Sequence, residues 1–328
     1  MESHSRLDAK HLMKMLGEHL SKCNQWSPNV YKSIGTCEEV LGHHRDRVVG
    51  WILSLNAEFR FTPETLGLAI SLLDRFMNLV KVRPKYLPCV AICCLYIAAK
   101  TLEEDEVIPS TKDLVKTIRC ACSVAEVLRM EAIILNKLSW NVKQVTAIDL
   151  LHIIHGLLMS CYPRLLDGLI HMTPSQHLSM MMRKIFHCLG NHQLAVLSPI
   201  RLVLSIVSLE LEQITPNWLS IVNMVQQVAE INSQTFIHCR EVTGMHLSKH
   251  GLLPSGYQFR VMKRSKSIKR KAVDDAEEED FYDGIKRLYS EDPFEVTASL
   301  RKSCSSEFAQ HQDTDGKTNF FIPAVSAN

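Results

Sequence analysis

The fold is decided by three stretches of sequence: Ser71-Leu-Leu-Asp-Arg-Phe76, Cys89-Val-Ala-Ile-Cys-Cys-Leu-Tyr-Ile-Ala-Ala-Lys100 and Leu128-Arg-Met-Glu131. Each predicts a helix, and the second has almost no polar face, so other helices have to surround it. We expect Asp74 to be buried beside this helix, and Lys100 and Glu131 to be exposed around it. Such a layout is suited to holding another protein rather than to catalysis.

Length and composition set the outer limits. The 328 residues are enough for two compact domains and a tail. Lys and Arg total 37 against 35 for Asp and Glu, which is not the basic excess expected when the main partner is nucleic acid. Most of the eleven cysteines lie in apolar helical segments, which favours a reducing, intracellular compartment. Without a secretory signal or a run of about 18 apolar residues, we expect neither secretion nor a membrane span.

Helix starts are marked repeatedly between residues 42 and 250. Four Ser or Thr residues have the spacing of a capping box or a close variant of it: Ser110, Ser123, Thr146 and Thr173. Three more stand directly before a proline: Thr62, Ser198 and Thr215. Apolar residues at three-to-four spacing follow these starts, so the sequence predicts an all-α fold with two groups of five helices. We place them at 42–58, 63–80, 84–102, 110–118 and 123–138, and at 146–160, 174–190, 197–212, 217–229 and 232–249.

The two ends of the chain differ from this helical region. Residues 1–41 contain an amphipathic run, which predicts a helix that packs on the body or on a partner. Residues 251–328 combine opposite charge blocks with few apolar residues, which predicts a disordered tail with a short helix near 280–289 that forms on contact with a partner. A basic run in this tail predicts a nuclear import signal, with nucleic acid or acidic lipid as the alternative target: Lys263, Arg264, Lys266, Lys269, Arg270 and Lys271. We therefore expect the protein in nucleus and cytoplasm.

No group of residues indicates catalysis or a bound metal. The acidic run 103–106 lacks the alternating spacing and glycine of an oxygen-ligand loop, so we interpret it as a solvated face. His152 and His155 have no further ligands at zinc spacing, so we expect them to be partly buried histidines. Cys120 and Cys122 are too close for a zinc knuckle, and no glycine-rich phosphate loop occurs. We expect no cofactor, no metal and no enzymatic activity.

Four features follow one another along the chain: Arg45 six positions before Trp51, then Leu72-Leu-Asp-Arg-Phe76, then Ala98-Ala-Lys100 with acids after it, and Leu128-Arg-Met-Glu131. Together they resemble the cyclin family, and within it the group of cyclins G and I, which segment 280–289 also resembles. The resemblance implies two tandem five-helix cyclin boxes. We place the first box at 42–142 and a second, more weakly marked one at 143–250, between the extension 1–41 and the tail 251–328.

By this resemblance the chain is a regulatory subunit that binds a cyclin-dependent protein kinase and performs no catalysis itself. Lys100, Glu131 and Leu102 would lie at the kinase contact, beside the helix whose position controls catalysis. Holding that helix in place shifts an existing equilibrium towards the active kinase, in the cell cycle or in differentiation. Arg45 and Asp74 match the buried pair that joins the first two helices of the family, so the resemblance gives them a structural role.

Three features depart from the family pattern. Gly50 stands where the family has an acid, and Thr101-Leu102 stands where an aromatic residue often follows the interface lysine. The apolar docking patch for substrate peptides is interrupted by a cation, which predicts a degraded patch made of His44, Arg47, Val48 and Trp51.

Two other functions stay open beside the kinase regulator. One is an adaptor that binds a kinase or phosphatase without activating it, which the degraded patch makes plausible. The other is a DNA-binding protein, because a double five-helix repeat also resembles general transcription factors. Residues 42–250 hold 20 Lys and Arg against 17 Asp and Glu, scattered rather than in a stripe, which favours a protein partner over DNA.

Overall fold

The computed structural model describes residues 2–23, 40–118, 122–169 and 172–253, with side chains from residue 9 onwards. Within these ranges the chain folds into α-helices joined by turns, with one short 3₁₀ helix and no β-strand. The all-α prediction is confirmed. The predicted tail, its short helix and the basic run lie outside the described residues.

Each predicted group of five helices is present. The N-terminal helix α1 (Glu2–Cys23) precedes the first repeat, which consists of α2 (Gly42–Phe59), α3 (Pro63–Leu79), α4 (Leu87–Leu102), α5 (Thr111–Ile118) and α6 (Val124–Lys137). The second repeat consists of α7 (Ala147–Cys161), α8 (Pro174–Leu189), α9 (His192–Ala195), α10 (Pro199–Ile214), α11 (Trp218–Val228) and α12 (Ser233–Lys249). The predicted boundaries lie within three residues of these, and the one-turn helix α9 is an addition.

Two central helices organise the repeats. α4 buries twelve of its sixteen residues, and α10 buries eleven of sixteen. Helices α2, α3 and α6 pack around α4. Helices α7, α8, α11 and α12 pack around α10. In the described part of the chain one stretch, Pro84–Leu102, has the length and apolar composition of a membrane span. That stretch contains α4, so its apolar character is accounted for by its place inside the first repeat.

Hydrogen bonds at the helix starts follow the sequence only in part. The hydroxyl oxygen accepts the N–H three residues on in all four predicted capping boxes, at Ser110, Ser123, Thr146 and Thr173. Of the three helix starts predicted before a proline, Thr62 and Ser198 occupy the N-cap positions of α3 and α10. Ser198 precedes α10 but makes no side-chain cap bond, and Thr215 lies two residues before the cap position of α11. Thr62 also makes no cap bond, because its hydroxyl donates elsewhere.

The two repeats meet through α2, α3, α7, α8 and α9, and α1 packs on the second repeat against α7 and α10. Leu16 of α1 is fully buried there. At the start of α2 the backbone comes so close to α9 that a Cβ on Gly42 would lie 2.4 Å from the ring of His192. A glycine is therefore required at this junction.

Candidate partner-binding surface

Lys100 and Glu131 are brought together by α4 and α6. Lys100 lies in the last turn of α4, and its Nζ is paired with Oε1 of Glu131. The ammonium group also lies 4.4 Å from the ring centroid of Tyr96, a cation–π distance. The Lys100 side chain is 38% exposed and that of Glu131 is 10% exposed. A partner approaching here meets the lysine first.

The burial of Glu131 corrects the expectation that it would be exposed. Glu131 lies on the face of α6 that packs against α4, and as a residue it is 8% exposed. Its carboxylate faces the lysine rather than solvent. Glu131 therefore orients Lys100, and the charge presented at this surface is positive.

Two apolar residues close to this pair in sequence have exposed side chains. Leu102 follows Lys100 by two residues and is 41% exposed, and Leu128 precedes Glu131 by three residues on α6 and is 49% exposed. Residues three apart on a helix lie on one side of it. We name Lys100, Glu131, Leu102 and Leu128 the first-repeat surface.

Glu103 has a structural function that the sequence did not indicate. Its Oε1 accepts hydrogen bonds from the backbone N–H of Thr62 at 2.7 Å and from the Thr62 hydroxyl at 2.9 Å. The carboxylate thus lies at the N-terminus of α3, where negative charge is favourable. Glu103 belongs to the packing of α4 against α3, so the acidic run 103–106 is not a uniform solvated face.

Arg45 and Asp74 join α2 to α3 through two parallel hydrogen bonds. Nε of Arg45 lies 3.0 Å from Oδ1 of Asp74, and one Nη lies 2.8 Å from Oδ2. The arginine side chain has no exposed surface, whereas the aspartate side chain is 23% exposed. The arginine is therefore the buried member, and Asp74 is only partly buried, contrary to the expectation of a buried carboxylate.

Arg45 also reaches the second repeat, which sequence reasoning missed. Its other Nη donates to the backbone carbonyl of Leu189 at the end of α8 and lies 3.4 Å from Oδ1 of Asp46. Asp46 in turn lies 2.6 Å from Nδ1 of His192 in α9. The pair that the resemblance implied within one repeat is thus part of a junction between both repeats. A carbonyl acceptor has no side-chain signature, so the sequence could not reveal this contact.

The four residues of the predicted docking patch differ in exposure. Val48 is 2% exposed and belongs to the core of the first repeat, so it offers a partner almost no surface. Arg47 is exposed, and Trp51 is partly buried against the same core. Nδ1 of His44 accepts the backbone N–H of Leu41, 3.1 Å away, and burial, then His43 and Arg47, lower the pKa of His44. An arginine and a neutral histidine are what this face offers.

The two histidines of α7 have different environments. His152 is 40% exposed, and its Nε2 lies 2.9 Å from a carboxylate oxygen of Glu64. His155 is 5% exposed, and its Nε2 lies 3.1 Å from Nδ1 of the fully buried His177. They do not converge on one point.

Six of the eight described cysteines are buried and favour packing over reactivity, whereas Cys161 is exposed. Cys23, Cys94 and Cys188 are buried, and burial raises the pKa of Cys23 to about 11 and that of Cys188 to about 12. Burial also raises the pKa of Cys94. A thiol with a raised pKa stays protonated at neutral pH and is a poor nucleophile. Cys122 is partly buried, and Cys120 lies outside the described residues.

The second repeat carries an ion pair at equivalent positions with the charges reversed. Lys100 and Glu212 are each the fourteenth residue of their helix, and Glu131 and Arg240 are each the eighth. Arg240 pairs with Glu212, and its guanidinium carbon lies 4.7 Å from the ring centroid of Trp218. Glu212 is 38% exposed, the same as Lys100. The first repeat therefore presents a cation where the second presents an anion.

Residues 19–143 match the family described as Cyclin, N-terminal domain. Human Cyclin-I2 is 36% identical over 202 residues, which are 62% of this chain and 55% of that protein. Human Cyclin-G1 is 41% identical over 119 residues, which are 36% of this chain and 40% of that protein. Human Cyclin-G2 is 30% identical over 207 residues, which are 63% of this chain and 58% of that protein.

These matches confirm the predicted resemblance to the cyclin family and to its G and I group. The aligned regions span about half the length of the curated relatives. An X-ray structure of a viral cyclin from herpesvirus saimiri superposes with a TM-score of 0.52 at 18% identity, covering 64% of this chain and 87% of that chain. At that identity the superposition shows a shared fold. The matched stretch 19–143 contains α2 to α6 and therefore the whole first-repeat surface.

Proposed function

We propose that the chain is a non-catalytic regulatory subunit of a cyclin-dependent protein kinase, which it binds through the first-repeat surface. The observation that carries the proposal is the pairing of Lys100 with Glu131 at the end of the buried helix α4 of a cyclin domain. The paired carboxylate holds the ammonium group in place, so less side-chain freedom is lost when a partner binds. Leu102 and Leu128 supply exposed apolar area beside that charge.

The proposed consequence for the kinase is a shift between two conformations. A protein kinase needs an ion pair between a strand lysine and a helix glutamate before it can orient the nucleotide phosphates. A partner that contacts this helix only in its inward position stabilises the active state by its difference in affinity for the two states. The rigid end of α4 is suited to this task because α4 is enclosed by α2, α3 and α6.

The experiment exchanges the two charges, Lys100→Glu with Glu131→Lys. The second repeat holds an ion pair of this reversed polarity at the equivalent positions, so we expect the exchanged pair to form and the fold to persist. The exposed charge of the first-repeat surface becomes negative. Wild-type chain used as bait in a cell extract should recover a cyclin-dependent kinase, and the exchanged variant should lose it.

A matched control exchanges the other pair, Glu212→Lys with Arg240→Glu, and should recover the kinase as well as wild type does. A second comparison adds a charge to equivalent exposed apolar residues, with Leu128→Asp on α6 and Ile237→Asp on α12, each the fifth residue of its helix. We expect kinase recovery to fall only for Leu128→Asp. Equal recovery from wild type and the Lys100/Glu131 exchange would refute the proposed site.

The second candidate function is that of an adaptor. The exposed Arg47, one helical turn from Trp51, favours the adaptor because a cation interrupts the apolar groove that would bind substrate peptides. Purified kinase with and without the chain separates the two. A regulator raises the rate of phosphate transfer to a generic peptide, whereas an adaptor binds and leaves that rate unchanged.

DNA binding is disfavoured by how three arginines are used. Arg45 is buried, Arg75 donates to the carbonyl of Asn141 at 2.7 Å, and Arg240 pairs with Glu212. Phosphate neutralisation needs cations that face outward. Salt-dependent, submicromolar binding to promoter DNA would reverse this ranking.

We also propose that the chain resides in nucleus and cytoplasm, on the strength of the basic run 263–271. Replacing its Lys and Arg residues by alanine in a fluorescent fusion should shift the signal to the cytoplasm. An unchanged distribution would refute the import signal.

A further inference from the structure

Three histidines converge at the ends of two helices of the second repeat. His187 lies in the last turn of α8, His246 in the last turn of α12, and His250 is the C-cap residue of α12. One ring nitrogen of each lies within 4.8 Å of one from each of the others. The ring centroids are 4.4 to 5.0 Å apart. His246 and His250 are four residues apart, so α12 presents both on one side.

We propose that His187, His246 and His250 form a binding site for a transition-metal ion of the Zn²⁺ class, with a fourth position left for water. Nδ1 of His187 lies 3.1 Å from Nε2 of His246. Two nitrogens that each lie 2.0 to 2.1 Å from a tetrahedral zinc ion are about 3.3 Å apart. The pair is thus spaced for a shared ion, and the exposed His250 can complete the site from the solvent side.

The chemistry of the three side chains selects the ion. Neutral imidazole nitrogens suit zinc, copper and nickel, whereas calcium and magnesium require oxygen ligands. Metal binds the neutral form of imidazole, which predominates at pH 7 for an ordinary histidine. The nearby charges Arg183 and Lys249 oppose a cation, so bonding to nitrogen has to supply the affinity.

Asn191 influences which ring nitrogen of His246 carries the proton, and therefore how His246 can bind a metal ion. Oδ1 of Asn191 accepts the backbone N–H of Gln193 at 2.8 Å, so its Nδ2 is the group that faces Nδ1 of His246 at 3.3 Å. This network assigns the His246 proton to Nε2, where it is shared with His187. When an ion binds Nε2, that proton has to move to Nδ1 by exchange with solvent, and two N–H groups then face each other. Asn191 therefore weakens the site, and an acceptor in its place should strengthen it.

The location connects the site to the junction of the repeats. Asn191 caps α9, and the next residue, His192, contacts Asp46 of α2. An ion at the three histidines would tie the ends of α8 and α12 together beside this contact. We expect the bound ion to stabilise the second repeat against unfolding next to the Arg45 junction.

Zinc titration of the full-length chain by calorimetry, under reducing conditions, tests the proposal. We expect one ion per chain. His250→Ala removes an exposed ligand without disturbing the core, and should lower the affinity by at least the roughly 10- to 100-fold that loss of an outer-shell partner costs. His238→Ala, an exposed histidine of the same helix, is the matched control and should bind as wild type does.

Asn191→Asp tests the site more specifically, because aspartate caps a helix as well as asparagine does and should leave the start of α9 intact. Its carboxylate can accept the Nδ1–H of a metal-bound His246, so we expect tighter zinc binding. Substituting cobalt should give a ligand-field spectrum of nitrogen and oxygen ligands. The proposal is overturned if no zinc binds, if His250→Ala binds as wild type does, if Asn191→Asp does not bind more tightly, or if a sulfur-to-cobalt charge-transfer band identifies cysteine ligands.

Discussion

Replacing Arg45 with leucine should strongly destabilise the protein. The wild-type guanidinium group has no exposed surface and makes two hydrogen bonds to Asp74, of 3.0 and 2.8 Å, besides its contact with the Leu189 carbonyl. Its removal leaves the carboxylate and the carbonyl without the charge that they face. Breaking a buried ion pair by removing one partner costs about 3 to 5 kcal/mol. Because Asp74 is 23% exposed and can recruit water, we place Arg45→Leu near 3 kcal/mol on that scale.

The second repeat supplies the compensating change. Arg45 and Asp74 are the fourth residue of α2 and the twelfth of α3, and the same positions of α7 and α8 hold Leu150 and Ile185, both fully buried. A double variant, Arg45→Leu with Asp74→Ile, therefore copies a pairing that this architecture already contains. Replacing a buried ion pair by packed apolar residues is often neutral or stabilising. We expect the double variant to be more stable than Arg45→Leu alone, short of wild type because the bond to Leu189 is lost.

Urea and thermal unfolding followed by circular dichroism measure both effects. For a domain of this size each 1 kcal/mol shifts Tm by roughly 2 to 4 °C, so a loss near 3 kcal/mol corresponds to roughly 6 to 12 °C. The single and double variants form a double-mutant cycle with Asp74→Ile, and the coupling should be about 1 kcal/mol or more. A loss below about 1 kcal/mol for Arg45→Leu, or strictly additive variants, would refute the role given to this pair.

Further predictions concern caps, glycines and histidine. Ser123→Ala breaks a complete capping box and should cost about 1 kcal/mol, whereas Ser198→Ala, at a start without a side-chain cap bond, should cost less than about 0.5 kcal/mol in the same urea experiment. Gly42→Ala places a Cβ against a histidine ring of α9 and should lower Tm. Gly50→Ala meets open space within α2 and should raise Tm by the equivalent of about 0.5 to 1 kcal/mol. Equal shifts in Tm would contradict the close approach at Gly42. Burial, then two neighbouring histidines, lower the pKa of His155 from 6.5 to about 4. Between pH 6.5 and pH 4 His155 is therefore protonated in the unfolded chain but not in the folded chain. The free energy of unfolding should fall as the pH drops through this range. His155→Gln should weaken that dependence, and an unchanged slope would contradict it.

The reversed ion pair of the second repeat bears on how one fold presents two different faces. Leu128 and Ile237 are equivalent exposed residues, so each repeat combines a charge with an apolar side chain at the same place. The packing of third and fifth helices decides where the pair forms, because a partly buried charge needs a partner within reach. This need for a partner does not determine whether the exposed residue of the ion pair is the cation or the anion. Sequence change can therefore alter partner preference without altering the fold, provided both members change together.

Local physical chemistry determined the helices from sequence alone. Ser123, with Glu126 three residues on, satisfies the first N–H groups of α6 whatever the rest of the chain does, and the apolar character of α4 requires enclosure. Lys100 and Glu131, which are 31 residues apart in sequence, pair only because α4 and α6 pack together, and that packing also buried the glutamate that periodicity placed outside. The contact of Arg45 with a carbonyl of α8, the reach of Glu103 to α3 and the meeting of three histidines were likewise decided by tertiary structure. Such contacts join groups far apart in sequence, and their geometry depends on helix packing, which leaves no periodic trace in the residues themselves.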